Sequence, residues 1–271
     1  NHPNYQQPLS TLIDSIRAIT ADDLRLFHKT HYGPASMLLV FAGDIRFEQL
    51  TAAVENAFSD WSGGSQYPAT APEPKPTVAT TERIPMDDKA SISVRQAYFT
   101  GLRRTDQDYL PFMVGNYILG GSFHSRLMDK IRQQKGLTYD IRSGHKGDTM
   151  TSGNWMLSAS FAPSLLEQGL QATNQVLDKW YTEGVQEEEV QAATTTLSGS
   201  YLVRLSSTAS VAAQVHSFIQ RGLSPDYIDQ YTARLNEIDA EAVNRSIRHY
   251  LQPEKIASVL SGSFSQNSEQ A

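Results

Sequence analysis

An arginine and a tyrosine seven residues apart, Arg132 and Tyr139, are the side chains best placed to do chemistry in this chain. They lie in the run Leu119-Gly-Gly-Ser-Phe-His-Ser-Arg-Leu-Met-Asp-Lys-Ile-Arg-Gln-Gln-Lys-Gly-Leu-Thr-Tyr-Asp-Ile141. The guanidinium and the phenol are both hydrogen-bond donors. Two donors at the seam between a helix and a strand suit the carbonyl oxygens of an extended peptide. That is what a peptide-binding or peptide-cleaving site needs beside its catalytic group. Gly120, Gly121 and Ser122 form the turn that sets the helix carrying Arg132.

No catalytic residue and no metal site can be read from the chain itself. It has no cysteine, which rules out a disulfide framework, a thiolate metal site and a cysteine nucleophile. His28 and His31 are three apart, but Lys29-Thr30 between them leaves no glutamate for an H-x-x-E-H helix. They close a helix, where the dipole favours histidine. His124 reads as a turn histidine facing solvent. Glu187, Glu188 and Glu189 read as a solvated cap at a helix start. His145, His216 and His249 have no partner by spacing. Without further context, Arg132 is an ordinary arginine on an amphipathic helix and Tyr139 a packed strand aromatic.

The elements that must position the pair follow from pattern. With 271 residues, 39% hydrophobic and 19% charged, the chain can bury a core as one large or two medium domains. A net charge of −6 argues against a dominant nucleic-acid surface. No apolar run reaches the roughly 18–20 residues of a spanning helix. Helices are expected over 20–32, with Thr20 as cap, and from Gly43-Asp44, with Asp44 as a possible cap, to Trp61. The apolar run Ser36 to Ala42 is expected to be a buried strand. Residues 62–80, rich in proline, read as a linker and a domain boundary. A strand follows over 90–101, then helices over 106–119 and 123–134, the second closed by Gly136. Two strands, 138–145 and 154–162, read as a hairpin. Helices over 164–182, 186–205, 208–221, 225–235 and 239–250 precede a last strand at 255–261. The tail 265–271 is polar and expected to fray.

An internal echo organises this list. Ile19 to Asp44 and Ile238 to Ser263 follow one plan: apolar residue, capping residue, acidic first turn, His-Tyr, proline, apolar strand, glycine. Pro34 and Pro253 are offset by 219 residues, as are Gly43 and Gly262. A repeating unit of about 220 residues makes residues 1–61 the tail of a first unit, and 81–264 the body of a second. About 175 residues of the first unit are then expected upstream.

The duplicated α/β unit and the Gly-Gly to Tyr139 motif together resemble the pitrilysin (insulinase) family of zinc metallopeptidases. The resemblance implies an α/β fold, a two-layer α+β sandwich with antiparallel strands packed on helices. It implies paired homologous units around a chamber, the first carrying H-x-x-E-H and a zinc ion. The second unit holds substrate, and its arginine and tyrosine match Arg132 and Tyr139. Zinc would therefore be bound by another unit, in cis or in trans. The implied function is the substrate-binding, C-terminal part of a zinc endopeptidase acting on peptides. Whether this chain alone is an enzyme is left open. Two alternatives stand beside it: a non-catalytic assembly subunit of the same family, and an unrelated α/β binding domain. Absent cysteine and the bacterial-looking motif point to an exported, periplasmic protein.

Overall fold

The computed structural model describes residues 5–65, 75–76, 78–149 and 151–264. The chain divides into two compact units, residues 1–72 with 203–228 and residues 73–202 with 229–271. Much of the proline-rich 62–80 segment, and the tail from 265, lies outside the described residues.

The first unit holds α1 (Leu9–Ala18), α2 (Ala21–His31) and α3 (Phe47–Phe58). Helix α1 was not legible in the sequence. Helix α2 starts as expected: the Thr20 hydroxyl accepts from the Asp23 amide, and the Asp23 carboxylate accepts from the Thr20 amide at 2.9 Å. That reciprocal pair satisfies two amides the helix cannot. Asp44 caps nothing; Arg46 precedes α3 without a side-chain cap. The apolar run after Pro34 departs from expectation. Pro34–Ser36 is a short 3-10 turn, and residues 37–42 form no strand and have no ladder partner among the described residues. Leu38, Leu39 and Phe41 are 37–48% exposed. An apolar run records a preference for burial, but burial also needs neighbouring strands, and none is paired with it here.

The second unit is built on a five-stranded sheet in the order β1-β5-β2-β4-β3. Its strands are β1 (Thr81–Pro85), β2 (Ile92–Phe99), β3 (Thr138–Lys146), β4 (Asn154–Phe161) and β5 (Ala257–Gly262). Strand β5 runs parallel to β1 and antiparallel to β2, and β2-β4-β3 continues antiparallel. Helices α4 (Tyr109–Asn116), α5 (Leu166–Thr182), α6 (Glu187–Arg204), α8 (Tyr227–Asn236) and α9 (Ala240–Tyr250) complete the chain, with α7 (Thr208–Gln220) grouped in the first unit. The expected α/β two-layer arrangement of sheet and helices is therefore present.

Alternation sets which face of the sheet is covered. Ile92 and Val94 of β2, and Trp155, Leu157 and Phe161 of β4, are at most 1% exposed, while Ser93 and Arg95 face solvent. A period of two puts those apolar residues on one face. Phe112 of α4, Trp180 of α5 and Ile247 of α9 join them in one core. Strand β1 is an exposed edge, which its exposed residues and closing proline make hard to read from sequence.

The two halves of the sequence repeat match in local geometry. Helices α2 and α9 each have 11 residues. Their caps, Thr20 and Asp239, have φ,ψ of −100°,165° and −107°,170°. Each helix is followed by a proline-led 3-10 turn, Pro34–Ser36 and Pro253–Lys255. The equivalent glycines, Gly43 and Gly262, have φ of 154° and 152°.

Candidate functional site

Two irregularities of backbone carry the Arg132–Tyr139 pair. Helix α4 passes into a π-helical turn, Tyr117–Gly121. The Trp180 indole donates to the Gly115 carbonyl at 3.0 Å as the hydrogen-bond pattern changes. The Asn116 side chain fixes this element to the sheet. Its Oδ1 accepts from the Ser143 hydroxyl at 2.8 Å and the Trp155 indole at 3.1 Å, and its Nδ2 donates to the Ser143 carbonyl. Gly120 lies so close to β3 that a Cβ there would meet the Ser143 amide nitrogen and hydroxyl at 2.5 Å. Its side-chain-free surface therefore serves close packing of the turn against the strand.

The chain turns through Ser122–Ser125 and becomes helical again at Arg126, then π-helical over Met128–Gln134. Arg126 pins the start. Its Nε and Nη2 meet both Glu189 oxygens at 2.8 and 2.6 Å, and Nη2 also donates to the Gly184 carbonyl. Glu189 additionally accepts from the Gln186 amide at 2.8 Å. Burial would raise the Glu189 carboxyl, but the Arg126 guanidinium and that amide hold it below the usual range. The reading of Glu187–Glu189 as a merely solvated cap is thus corrected: Glu189 caps α6 and also clamps the turn before Arg132, while Glu187 accepts from the Ala240 amide.

Tyr139 sits in a register shift of β3 against β4, between Thr138 and Ile141. Thr138 pairs with Phe161 and Ile141 with Ala159, so one residue is inserted. Such a bulge re-aims a side chain. The Thr138 hydroxyl staples it, donating to the Ser160 carbonyl at 2.6 Å. Tyr139 is 80% exposed as a result, not packed as an ordinary strand aromatic.

These devices bring the pair together. The Arg132 Cζ lies 4.7 Å from the Tyr139 ring centroid and 4.9 Å from that of Phe123. Arg132 forms no ion pair among the described residues, and it is half-buried. A guanidinium stacked on rings keeps its in-plane N–H donors free for an oxygen acceptor. Phe123 was not singled out by sequence reasoning. The available signal was a large apolar residue in a Gly-Gly-Ser-Phe-His turn, where polar residues are the rule. His124 is exposed beside it, edge-on to Phe123. Gly121 is exposed and Ser122 half-buried at the end of the π turn.

Two cavities flank this turn. One of about 650 Å³ is bordered by Tyr117, Ser122, Ser125, Arg126 and Glu189. The other, about 290 Å³, is bordered by Arg104, Tyr109, Asn116, Gly121 and His145. A buried ionic cluster backs the second. Asp148 accepts from the Tyr109 hydroxyl at 2.7 Å and from Arg104 Nη2 at 2.9 Å. Burial would push its carboxyl up, but His145, Tyr109 and Arg104 hold it well below the usual carboxylate range. His145 therefore does have partners. Its Nε2 meets the Thr100 hydroxyl at 2.9 Å, and its Nδ1 stands 3.7 Å from Asp148, beyond hydrogen-bond length.

The donor set does not fit a zinc ion. Among the described residues, no three histidine, aspartate or glutamate side chains converge. His28 stacks on Tyr32, and His31 meets Phe27 and the Ser65 hydroxyl. Among the described residues, no helix is long and apolar enough to cross a membrane.

Comparison with known proteins bears on the fold and the family. A family model described as "Peptidase M16 inactive domain" matches residues 18–197. An uncharacterized zinc protease of Streptomyces coelicolor is 26% identical over 249 residues, covering 89% of this chain and 54% of the relative. A protein of Helicobacter pylori named a non-peptidase homolog is 22% identical, covering 88% of this chain and 55% of the relative. A solved peptidase M16 inactive domain from Pseudomonas fluorescens superposes with a TM-score of 0.84 at 24% identity, over 93% of this chain and 59% of the other. The chain spans a little over half the length of these relatives.

Proposed function

The chain belongs to the peptidase M16 family through its inactive domain, and on that premise we propose that it holds peptide substrate for a zinc-bearing unit elsewhere. In this reading it is the C-terminal part of a metalloendopeptidase. Arg132 donates to a backbone carbonyl near the scissile bond, and Tyr139 donates its phenolic proton alongside. Gly120, Gly121 and Ser122 set the turn that aims them. The zinc and its ligands belong to a homologous unit, upstream in the same polypeptide or in a partner, and no step depends on a metal held here. Substrate is a peptide in extended form, and the setting is the periplasm or another exported compartment.

One observation carries this reading. A π-helical segment and a β-bulge, two unrelated departures from regular structure, bring Arg132 and Tyr139 to 4.7 Å of one another. Irregularities of both kinds concentrate at functional sites. A positioned donor to a developing oxyanion contributes roughly 10²–10³ in turnover. Arg132→Ala in the assembled enzyme, assayed on an internally quenched peptide, is expected to lower turnover by about a hundredfold with the bound zinc unchanged. Tyr139→Phe is expected to lower it less. Wild-type turnover in both variants would remove the assignment.

A second reading has its own support, since one relative is named a non-peptidase homolog. The chain would then serve assembly or interaction. An assembled complex that hydrolyses no peptide, with Arg132→Ala leaving its composition intact, would favour that reading.

A further inference from the structure

The geometry points to Phe123 as a positioning residue that, with Tyr139, holds the Arg132 guanidinium by its π faces so that its N–H edges stay free for substrate. This rests on the reading of Arg132 as a substrate-backbone donor.

Phe123 is a large apolar side chain left 54% exposed on a turn with a covered core close by. A single exposed apolar side chain is ordinary on a protein surface, so its meaning lies in what it touches. Its ring lies beneath Arg132, with Cζ 4.9 Å from the centroid. The turn is held in place from the other side. Gln133, next to Arg132, donates to the Phe123 carbonyl at 3.5 Å, and the Ser125 amide donates to Ser122. The Gln133 bond ties the turn bearing Phe123 to the helix bearing Arg132.

The choice of aromatic partners has a chemical meaning. A carboxylate beside Arg132 would orient it equally well, but would occupy its N–H fork and neutralise its charge. The neighbouring arginines are held that way: Arg126 by Glu189, Arg142 by Asp140 and Arg104 by Asp148. Arg104 also lies over a ring, 4.8 Å from the Tyr109 centroid, but Arg132 is the one of these four held by rings with no carboxylate partner among the described residues. Stacking uses the faces of the guanidinium and leaves its edge donors and full charge available. Such a group suits a neutral carbonyl that gains negative charge as it reacts.

The test compares Phe123→Leu with Phe123→Tyr, beside Arg132→Ala. The Arg132 Nε–Hε resonance is read by NMR on this chain without substrate, and KM and kcat are read on an internally quenched peptide with the assembled enzyme. Phe123→Leu is expected to shift the Arg132 resonance and to lower kcat/KM about two- to fivefold, the loss matching one exposed cation–π contact. Phe123→Tyr is expected to restore both, which simple bulk at this position would not require. An Arg132 resonance unmoved in Phe123→Leu would overturn the proposal. So would a moved resonance with wild-type kcat/KM while Arg132→Ala is impaired, and that result would leave the role of Arg132 standing. Wild-type kinetics in Arg132→Ala would bring down both.

Discussion

Replacing Asp148 with asparagine tests how much of the second unit's stability comes from one buried charge. Asparagine keeps the size and can still accept from the Tyr109 hydroxyl, 2.7 Å away. It cannot neutralise Arg104, whose Nη2 stands at 2.9 Å. Removing one partner of a buried ion pair costs about 3–5 kcal/mol. The Arg104 side chain is 25% exposed, so water recovers part of the loss and the lower end applies. At roughly 2–4 °C per kcal/mol for a domain of this size, the melting temperature at pH 7 should fall by about 6–12 °C. The pH dependence follows from the sign of the shift. The folded carboxyl titrates below the unfolded one, so its contribution is complete above the unfolded value near 3.9 and disappears as pH falls through the folded value. Calorimetric scans should show a constant gap between wild type and variant from pH 8 to 5, closing below about pH 4. A fall under about 2 °C at pH 7 would refute this reasoning. A gap that already narrowed between pH 8 and 6 would do the same, because the Asp148 carboxyl is ionised in both folded and unfolded chains throughout that range.

Three further substitutions probe the scaffold of the site. Gly120→Ala should destabilise by about 1–3 kcal/mol, because its methyl would meet β3 backbone at 2.5 Å. Gly121→Ala should cost less, since its nearest atoms, at 3.0 Å, belong to the Tyr117 side chain, and urea midpoints would rank the two. Glu189→Gln should lower the midpoint by an amount equivalent to about 1–2 kcal/mol with an unchanged m-value. Its folded carboxyl is depressed, so the deficit should shrink on acidification below about pH 4.5; a deficit independent of pH would show that shape, not charge, clamps Arg126.

Local signals in the sequence carried a good part of this structure. Thr20 and Asp23 announced α2, Gly136 announced the end of the Arg132 helix, and the two strand-like runs 138–145 and 154–162 with a polar turn between them announced the hairpin. The Gly-Gly to Tyr139 spacing pointed to the pair that the structure brings together. What escaped was of two kinds. A π-helical turn and a bulge each insert one residue into a regular pattern, and a single insertion leaves hydrophobic periodicity almost unchanged. Contacts between distant residues leave no spacing at all: Thr100, Arg104 and Tyr109 reach His145 and Asp148 across about 40 residues of sequence. The exposure of residues 37–42 is a third case. Their composition states what they would bury against, and composition cannot supply the neighbour.

The duplicated helix–turn–glycine segment gives the molecule a control of its own. The two copies share cap dihedrals, helix length, a proline turn and a glycine at φ near 150°. They differ in lateral pairing and in burial: Ala257–Gly262 has a strand on each edge and buries Leu260, while residues 37–42 have no ladder partner among the described residues and Leu38, Leu39 and Phe41 are exposed. Amide exchange at Leu38–Phe41 against Ser258–Leu260 therefore reads what lateral pairing, with the burial that comes with it, adds to one local plan. Both sides of that comparison lie within one polypeptide and can be measured in a single sample at one pH and temperature.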